Sequence, residues 1–202
     1  MRHIITFVDV ETTGFDNPAP IEIAAMRLTP AWTVERAFYR RWQPSKPVEP
    51  DAARINGYNE RDWQGCEPVT EDDLRAFSAF VAGSQWAGSH PDFDYGAMEP
   101  NRVGARLPEW HLATHRRINV GSNGGPLIEA VGGTSGGQAA ILEALAKVGR
   151  PVPPMPEWLV DLARGRIGVH SAMGDAWSGA WALRHLWTEA EEYWRGQLAR
   201  AA

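Results

Sequence analysis

Asp9 and Glu11 stand two positions apart in the run Phe7-Val8-Asp9-Val10-Glu11-Thr12-Thr13-Gly14. On a strand, residues i and i+2 point to one face, and their Cα atoms lie roughly 6–7 Å apart. Both carboxylates then reach one hard cation of the magnesium or manganese kind. Taken alone, such a pair reads more simply as two solvated acids at a strand end. The Thr12-Thr13-Gly14 turn beside it adds backbone N–H groups and hydroxyls suited to gripping a nucleotide, and the whole run is far more specific than the pair. Phe15 follows the turn, as a wedge against a base or as cover for a sheet edge. A second group lies late in the chain, His170-Ser171-Ala172-Met173-Gly174-Asp175. Positions i and i+5 of one helix diverge by about 140°. The spacing therefore predicts His170 on the loop before a helix and Asp175 on its first turns, a mobile base and a fixed ligand. A neutral imidazole can take a proton from water near pH 7. The plainer reading is a helix start capped by Ser171, with a core histidine. Between the two groups, Phe93-Asp94 follows Gly88-Ser89-His90-Pro91-Asp92. An acid in a first helical turn, by itself, only answers the helix dipole.

These residues need elements to hold them. His3–Val8 is apolar and β-branched and reads as a buried strand entering the acidic turn. Ile21–Leu28 and Thr33–Trp42 read as second and third strands, and the short joints predict an antiparallel meander. Pro50–Gly57 reads as a short helix stopped by glycine. Thr70 caps a clearer helix whose stripe is Leu74, Phe77, Phe80 and Val81. Gln85–Gly88 reads as a strand, Asp92 onward as a helix, and Glu109–Ile118 as a strand. Gly121–Gly137 is a flexible, glycine-rich loop or insertion. A helix over Gln138–Val148 and a stiff Pro151–Pro156 linker follow. From Gly168 a helical region begins, with Ala172, Ala176, Ala180 and Leu183 at helical spacing, and Thr188–Ala202 reads as a final helix. Strands first, then alternating helix and strand, point to an α/β mixed sheet covered by helices.

The chain has 202 residues, the size of one domain with room for a loop insertion. A single cysteine, Cys66, excludes an internal disulfide and a cysteine zinc cage. No apolar stretch reaches the roughly 18 residues of a membrane span, and the N-terminus lacks a signal-peptide pattern. The expectation is a cytoplasmic protein with no membrane partner. The net charge of −5 argues against a protein that merely coats nucleic acid, but not against an acidic site completed by cations. Lys46 and Lys147 are the only lysines. Arginine, which dominates the basic residues, suits bidentate phosphate contacts, though a GC-rich coding sequence gives the same bias. Most of the ten tryptophans read as core residues, with Trp86 and Trp177 nearest the candidate acids. Arg40-Arg41 and Arg116-Arg117 read as solvated faces or phosphate contacts.

Taken together, the three acidic segments resemble the DnaQ-like 3′–5′ exonucleases, specifically the DEDDh branch of the ribonuclease-H-like superfamily. Asp9–Gly14 matches the family's D-x-E-T-T-G, Phe93-Asp94 its F-D, and His170–Asp175 its H-x-A-x-x-D. Ile21-Glu22-Ile23-Ala24 and Ile55-Asn56-Gly57 are weaker echoes of its second strand and its I-x-G turn. The family often has His-Asn ahead of F-D where this chain has Ser89-His90-Pro91-Asp92, so Asp92 and Glu99 stay open beside Asp94. The resemblance implies one exonuclease domain over 1–202 with a ribonuclease-H-like sheet: a three-stranded meander plus parallel strands. It implies two divalent cations, Mg²⁺ or Mn²⁺, held by Asp9, Glu11, Asp94 and Asp175, with His170 as general base. Asp9 would bridge both cations, Glu11 and Asp175 would share one, and Asp94 would support the other. It implies Thr12, Thr13, Gly14 and Phe15 against the terminal nucleotide. The substrate would be the 3′ end of single-stranded DNA or, next, RNA, releasing nucleoside monophosphates. Candidate partners are a polymerase or repair complex, with proofreading among the roles. The alternatives are a non-catalytic nucleic-acid-binding or polymerase-accessory subunit, and an oligoribonuclease-like enzyme for very short substrates.

Overall fold

The computed structural model describes residues 4–99, 117–119 and 137–201. Three strands, β1 (Ile5–Thr12), β2 (Pro20–Leu28) and β3 (Val34–Arg41), come first. Helices α1 (Pro50–Asn56), α2 (Glu60–Trp63) and α3 (Glu71–Val81) precede β4 (Gln85–Gly88) and α4 (Pro91–Ala97). Then come β5 (Arg117–Asn119), α5 (Gln138–Lys147), α6 (Glu157–Leu162) and α7 (Ala172–Ala201). The strands form one mixed α/β sheet in the order β3-β2-β1-β4-β5. The expected antiparallel meander is there, and β4 and β5 add in parallel.

Strand alternation divides the core. Val8 and Val10 of β1 point to one face, where Leu74, Phe77, Phe80 and Val81 of α3 cover them. All four predicted stripe residues of α3 are buried. Its start is fixed by a capping box, with the Asp73 N–H donating to Thr70 Oγ1 at 3.1 Å and the Thr70 N–H donating to Asp73 Oδ2 at 3.1 Å. Ile5 and Phe7 point to the other face, against Ala172, Ala176, Ala180 and Leu183 of α7. Small residues let α7 lie close: a Cβ at Gly179 would run into the Phe7 ring. Asp9 and Glu11 continue this same row beyond Phe7, so they face the N-terminal end of α7.

Two short helices escaped the sequence reading, because four residues (α2) and six (α6) hold too little periodicity to register. The predicted separate helix from Thr188 is instead part of α7. The Thr188 hydroxyl donates to the Arg184 carbonyl at 2.9 Å, so it bonds back within the helix rather than capping a new one. The Pro151–Pro156 linker has no regular structure and is fastened by indole donors, Trp177 Nε1 to the Pro153 carbonyl at 3.0 Å and Trp181 Nε1 to the Arg150 carbonyl at 3.3 Å. Of the strand read over Glu109–Ile118, residues 117 and 118 fall in β5 and the rest lie outside the described residues, as do 121–136 of the glycine-rich segment. Among the described residues, no helix is long and apolar enough to cross a membrane.

Candidate active site

β1 and β4 run parallel and end at the same edge of the sheet, where open α/β sheets hold their ligands. One carboxylate oxygen from each of Asp9, Glu11 and Asp175 comes within 4.8 Å of the others. Asp94 reaches this edge from α4. It is 4% exposed, its carboxylate accepts from the Val10 N–H, and its charge acts on Asp9. Gly88 makes the approach possible, since a Cβ there would meet the Val8 carbonyl oxygen at 2.9 Å and Asp94 Oδ2 at 3.2 Å. Asp92, by contrast, is exposed and Glu99 half-buried. Asp94 is thus the second-segment acid the fold brings to Asp9.

His170 lies on the loop before α7, exposed and in left-handed backbone at φ 58°. Its Nδ1 is 3.7 Å from Asp175 Oδ2, and its backbone N–H donates to the Asp175 carboxylate. Gly174 lets this loop fold back over the helix, because a Cβ there would fall on the carbonyl oxygens of Gly168 and Ile167.

Burial raises Asp9, Glu11, Asp94 and Asp175, and repulsion between carboxylates adds to it at Asp9, Glu11 and Asp175. Loss of water, then repulsion from Asp94, Glu11, Asp175 and Glu22, holds Asp9 well above the usual carboxylate range. Glu11 is pushed up to about 8 by burial and by Asp175 and Glu22, with Arg166 opposing. Burial raises Asp94 against the Val10 N–H and raises Asp175 against the nearby His170. The donor set fits a hard divalent cation. All donors are carboxylate oxygens, and buried Asp94 Oδ2 has no hydrogen-bond partner. Positive charge among them would oppose the burial and repulsion that raise them.

The turn after Glu11 is built from its own hydroxyls. Thr12 Oγ1 donates to the Gly14 carbonyl at 2.8 Å, and Thr13 Oγ1 accepts from the Ala19 N–H at 3.1 Å. Gly14 packs on Glu49, whose side chain fills the space a Cβ would need. Phe15 is 61% exposed, with its ring 6.4 Å from that of Phe93. Trp86 faces away, in the core with Phe77 and Tyr95, and Trp177 points to the proline linker. Arg40 pairs with Asp73 at 3.5 Å; Arg116, and the side chain of Arg117, lie outside the described residues.

Sequence reading missed three supports. Glu22 faces Glu11 across the β1–β2 register and is fully buried. It accepts from Tyr39 Oη at 2.8 Å and from Arg166 Nε at 2.7 Å. Burial and Glu22 push the Tyr39 phenol far up, so it stays a donor. Arg166 also bonds the Asn56 carbonyl, while Asn56 Nδ2 donates to the Thr12 carbonyl at 3.0 Å. Gln138 joins the second and third segments. Its Nε2 donates to the Asp175 carbonyl at 3.0 Å and to Ser178 Oγ at 2.9 Å, and its Oε1 accepts from Ser89. Glu22 was visible inside Ile21-Glu22-Ile23, but only strand register shows what it faces.

Residues 6–103 match the family model of the RNase T exonucleases. The match spans just under half of the 202 residues, and over it the chain is similar to that exonuclease family. The matched span holds Asp9, Glu11 and Asp94, and the fold adds Asp175 from beyond it. None of the curated proteins matches this exonuclease. Among solved structures, it resembles exonuclease X in complex with 5′ overhanging duplex DNA, at 18% identity and a TM-score of 0.60 over 93% of both chains. The nuclease domain of 3′hExo, a DEDDh family member bound to rAMP, is 12% identical at a TM-score of 0.65, again over 93% of both chains. E. coli exonuclease I in complex with a dT13 oligonucleotide is 15% identical at a TM-score of 0.59, over 95% of this chain and 43% of that one. At these identities the likeness is one of fold, a ribonuclease-H-like mixed sheet.

Proposed function

We propose that this exonuclease acts at the 3′ end of single-stranded nucleic acid, DNA before RNA, and releases nucleoside monophosphates. The observation that carries the reading is the meeting of Asp9, Glu11 and Asp175 within 4.8 Å, with buried Asp94 behind and exposed His170 in front. In this reading Asp9, Glu11, Asp94 and Asp175 would hold two divalent cations, Mg²⁺ or Mn²⁺. When bound, such cations supply positive charge to the attacking water, the phosphate and the leaving 3′ oxygen.

The chain's own residues do the rest. Asp175 holds His170 by charge and by the backbone N–H bond, with Nδ1 turned towards the carboxylate. Nε2 is left to accept the proton as the water oxygen bonds to phosphorus and the P–O3′ bond breaks. The left-handed residue at 170 places the imidazole outside the packed helix, where it can move to the water. Thr12 and Thr13 fix the turn, and Gly14 and Phe15 present backbone and a flat ring to the terminal nucleotide. A proofreading or repair role beside a polymerase belongs to the same proposal. A non-catalytic binding subunit is less well supported, because all four acids and the histidine stand together.

The test uses 5′-labelled DNA and RNA strands of equal sequence with Mg²⁺ or Mn²⁺, beside EDTA and Asp9→Ala controls. A ladder shrinking from the 3′ end, lost in both controls, is expected. Intact strands in every metal, with folded protein, would overturn the proposal and favour the binding subunit.

A further inference from the structure

We infer that Arg41 and Arg164 form a phosphate clamp on the unpaired strand beside the scissile bond. The inference rests on the proposed nuclease reading and names the surface that holds its substrate. A cleft of about 820 Å³ runs between the Ile55-Asn56-Gly57 turn and the loop 164–171 that ends at His170. Four arginines line it, Arg41, Arg54, Arg164 and Arg166, against one acid, Asp62. In a chain of net charge −5, that is a local reversal of sign next to the acidic cluster.

The four cations are not equivalent. Arg166 is bound to buried Glu22. Arg54 lies 3.3 Å from Asp51 on the open surface. Arg41 and Arg164 have no acidic partner among the described residues. The β2–β3 register sets Arg41 opposite Glu22, in the row that begins with Glu11, and its guanidinium lies 5.3 Å from the Trp63 ring centre. That ring restricts where the charge can go, which lowers the entropy lost on meeting a phosphate. Arg164 sits in left-handed backbone at φ 52°. This is the capped end of α6, where the Arg164 N–H donates to the Asp161 carbonyl at 3.0 Å and the Gly165 N–H to the Val160 carbonyl at 2.9 Å; glycine is the usual residue there, yet the position carries a long cation. The same two arginines also line a second hollow of about 360 Å³, so they stand where two openings meet. Ile55 and Val169, 41% and 84% exposed, add apolar surface in the first cleft. A cleft lined by both guanidinium and aliphatic side chains suits a strand whose bases are unpaired.

Neutralising one phosphate of a single strand contributes about 0.7 to the slope of log binding constant against log salt. The test measures anisotropy of a fluorescein-labelled oligothymidylate in EDTA, with KCl from about 50 to 200 mM. Arg164→Gly removes the charge and relaxes the backbone, so the fold is not at risk. We expect its slope to be shallower by about 0.7, Arg41→Gln to match it, the double variant to lose about 1.4, and Arg164→Lys to restore the slope. Arg36→Gln, on the far part of β3, should leave it unchanged. Wild-type slopes in both Arg164→Gly and Arg41→Gln, with the strand still digested in metal by the wild-type protein, would overturn the clamp alone. Absence of both digestion and binding in wild-type protein would overturn the nuclease reading with it.

Discussion

Glu11 is flanked by the carboxylates of Asp175, Glu22 and Asp94, and one guanidinium, Arg166, opposes them. Arg166 is 18% exposed and Glu22 fully buried, so breaking the pair from one side strands a charge in a dry place. Arg166→Met should destabilise the protein by about 3–5 kcal/mol, read as a lower unfolding midpoint in denaturant. The double variant Glu22→Gln/Arg166→Met should recover much of that loss, because neither partner is then left unpaired. His170 makes the opposite case. It is exposed and packs on little, so His170→Ala should leave stability within about 0.5 kcal/mol while lowering kcat about 10²–10⁴-fold. Asp9 and Glu11 were legible as a pair because their spacing follows the strand period, whereas Asp94, Asp175 and His170 joined them only through the resemblance to the DEDDh exonucleases. Arg166 was not legible, since nothing local marks an arginine that reaches 144 positions back to Glu22.

At the scale of elements, the site depends on how closely α7 and α4 meet the ends of β1 and β4. Gln138 is the joint, bonding Ser89 after β4 and both Asp175 and Ser178 on α7. Gln138→Leu keeps the volume and removes all three bonds. It should cost about 1–3 kcal/mol in stability, and kcat should fall because Asp175 loses its brace. Gly174→Val presses on the carbonyls of Gly168 and Ile167; it should destabilise by about 1–3 kcal/mol and displace His170, read as a fall in kcat with KM little changed. Strands and long helices could be read from apolar period, and α3 followed its predicted cap and stripe residue by residue. The close approaches at Gly88, Gly174 and Gly179 could not, because a glycine in sequence does not say whether it serves a turn or a contact.

Across the whole molecule, the acid cluster links stability, pH and metal. Glu11 rises from an ordinary 4.5 to about 8 on folding, and Asp9, Asp94 and Asp175 also rise. Between those values the folded protein keeps protons that the unfolded chain has lost, so stability falls as pH increases. For Glu11 the contribution is complete below 4.5 and is lost as pH climbs through about 8. Protein held in EDTA should therefore melt lower at pH 8 than at pH 5.5. Mn²⁺ should raise the midpoint more at pH 8, where fewer protons compete for the carboxylates. A midpoint in EDTA that rises with pH over this range would show that the acids do not crowd one another as the geometry requires.

The most direct measurement follows a label placed on the 3′-terminal nucleotide of a single-stranded oligomer in Mn²⁺, with Asp9→Asn alongside. Release of the label as a nucleoside monophosphate is expected from the first turnover, with none from Asp9→Asn. Label that stays on the strand, or leaves on a longer fragment, while the wild-type protein is folded and binds Mn²⁺, would contradict it.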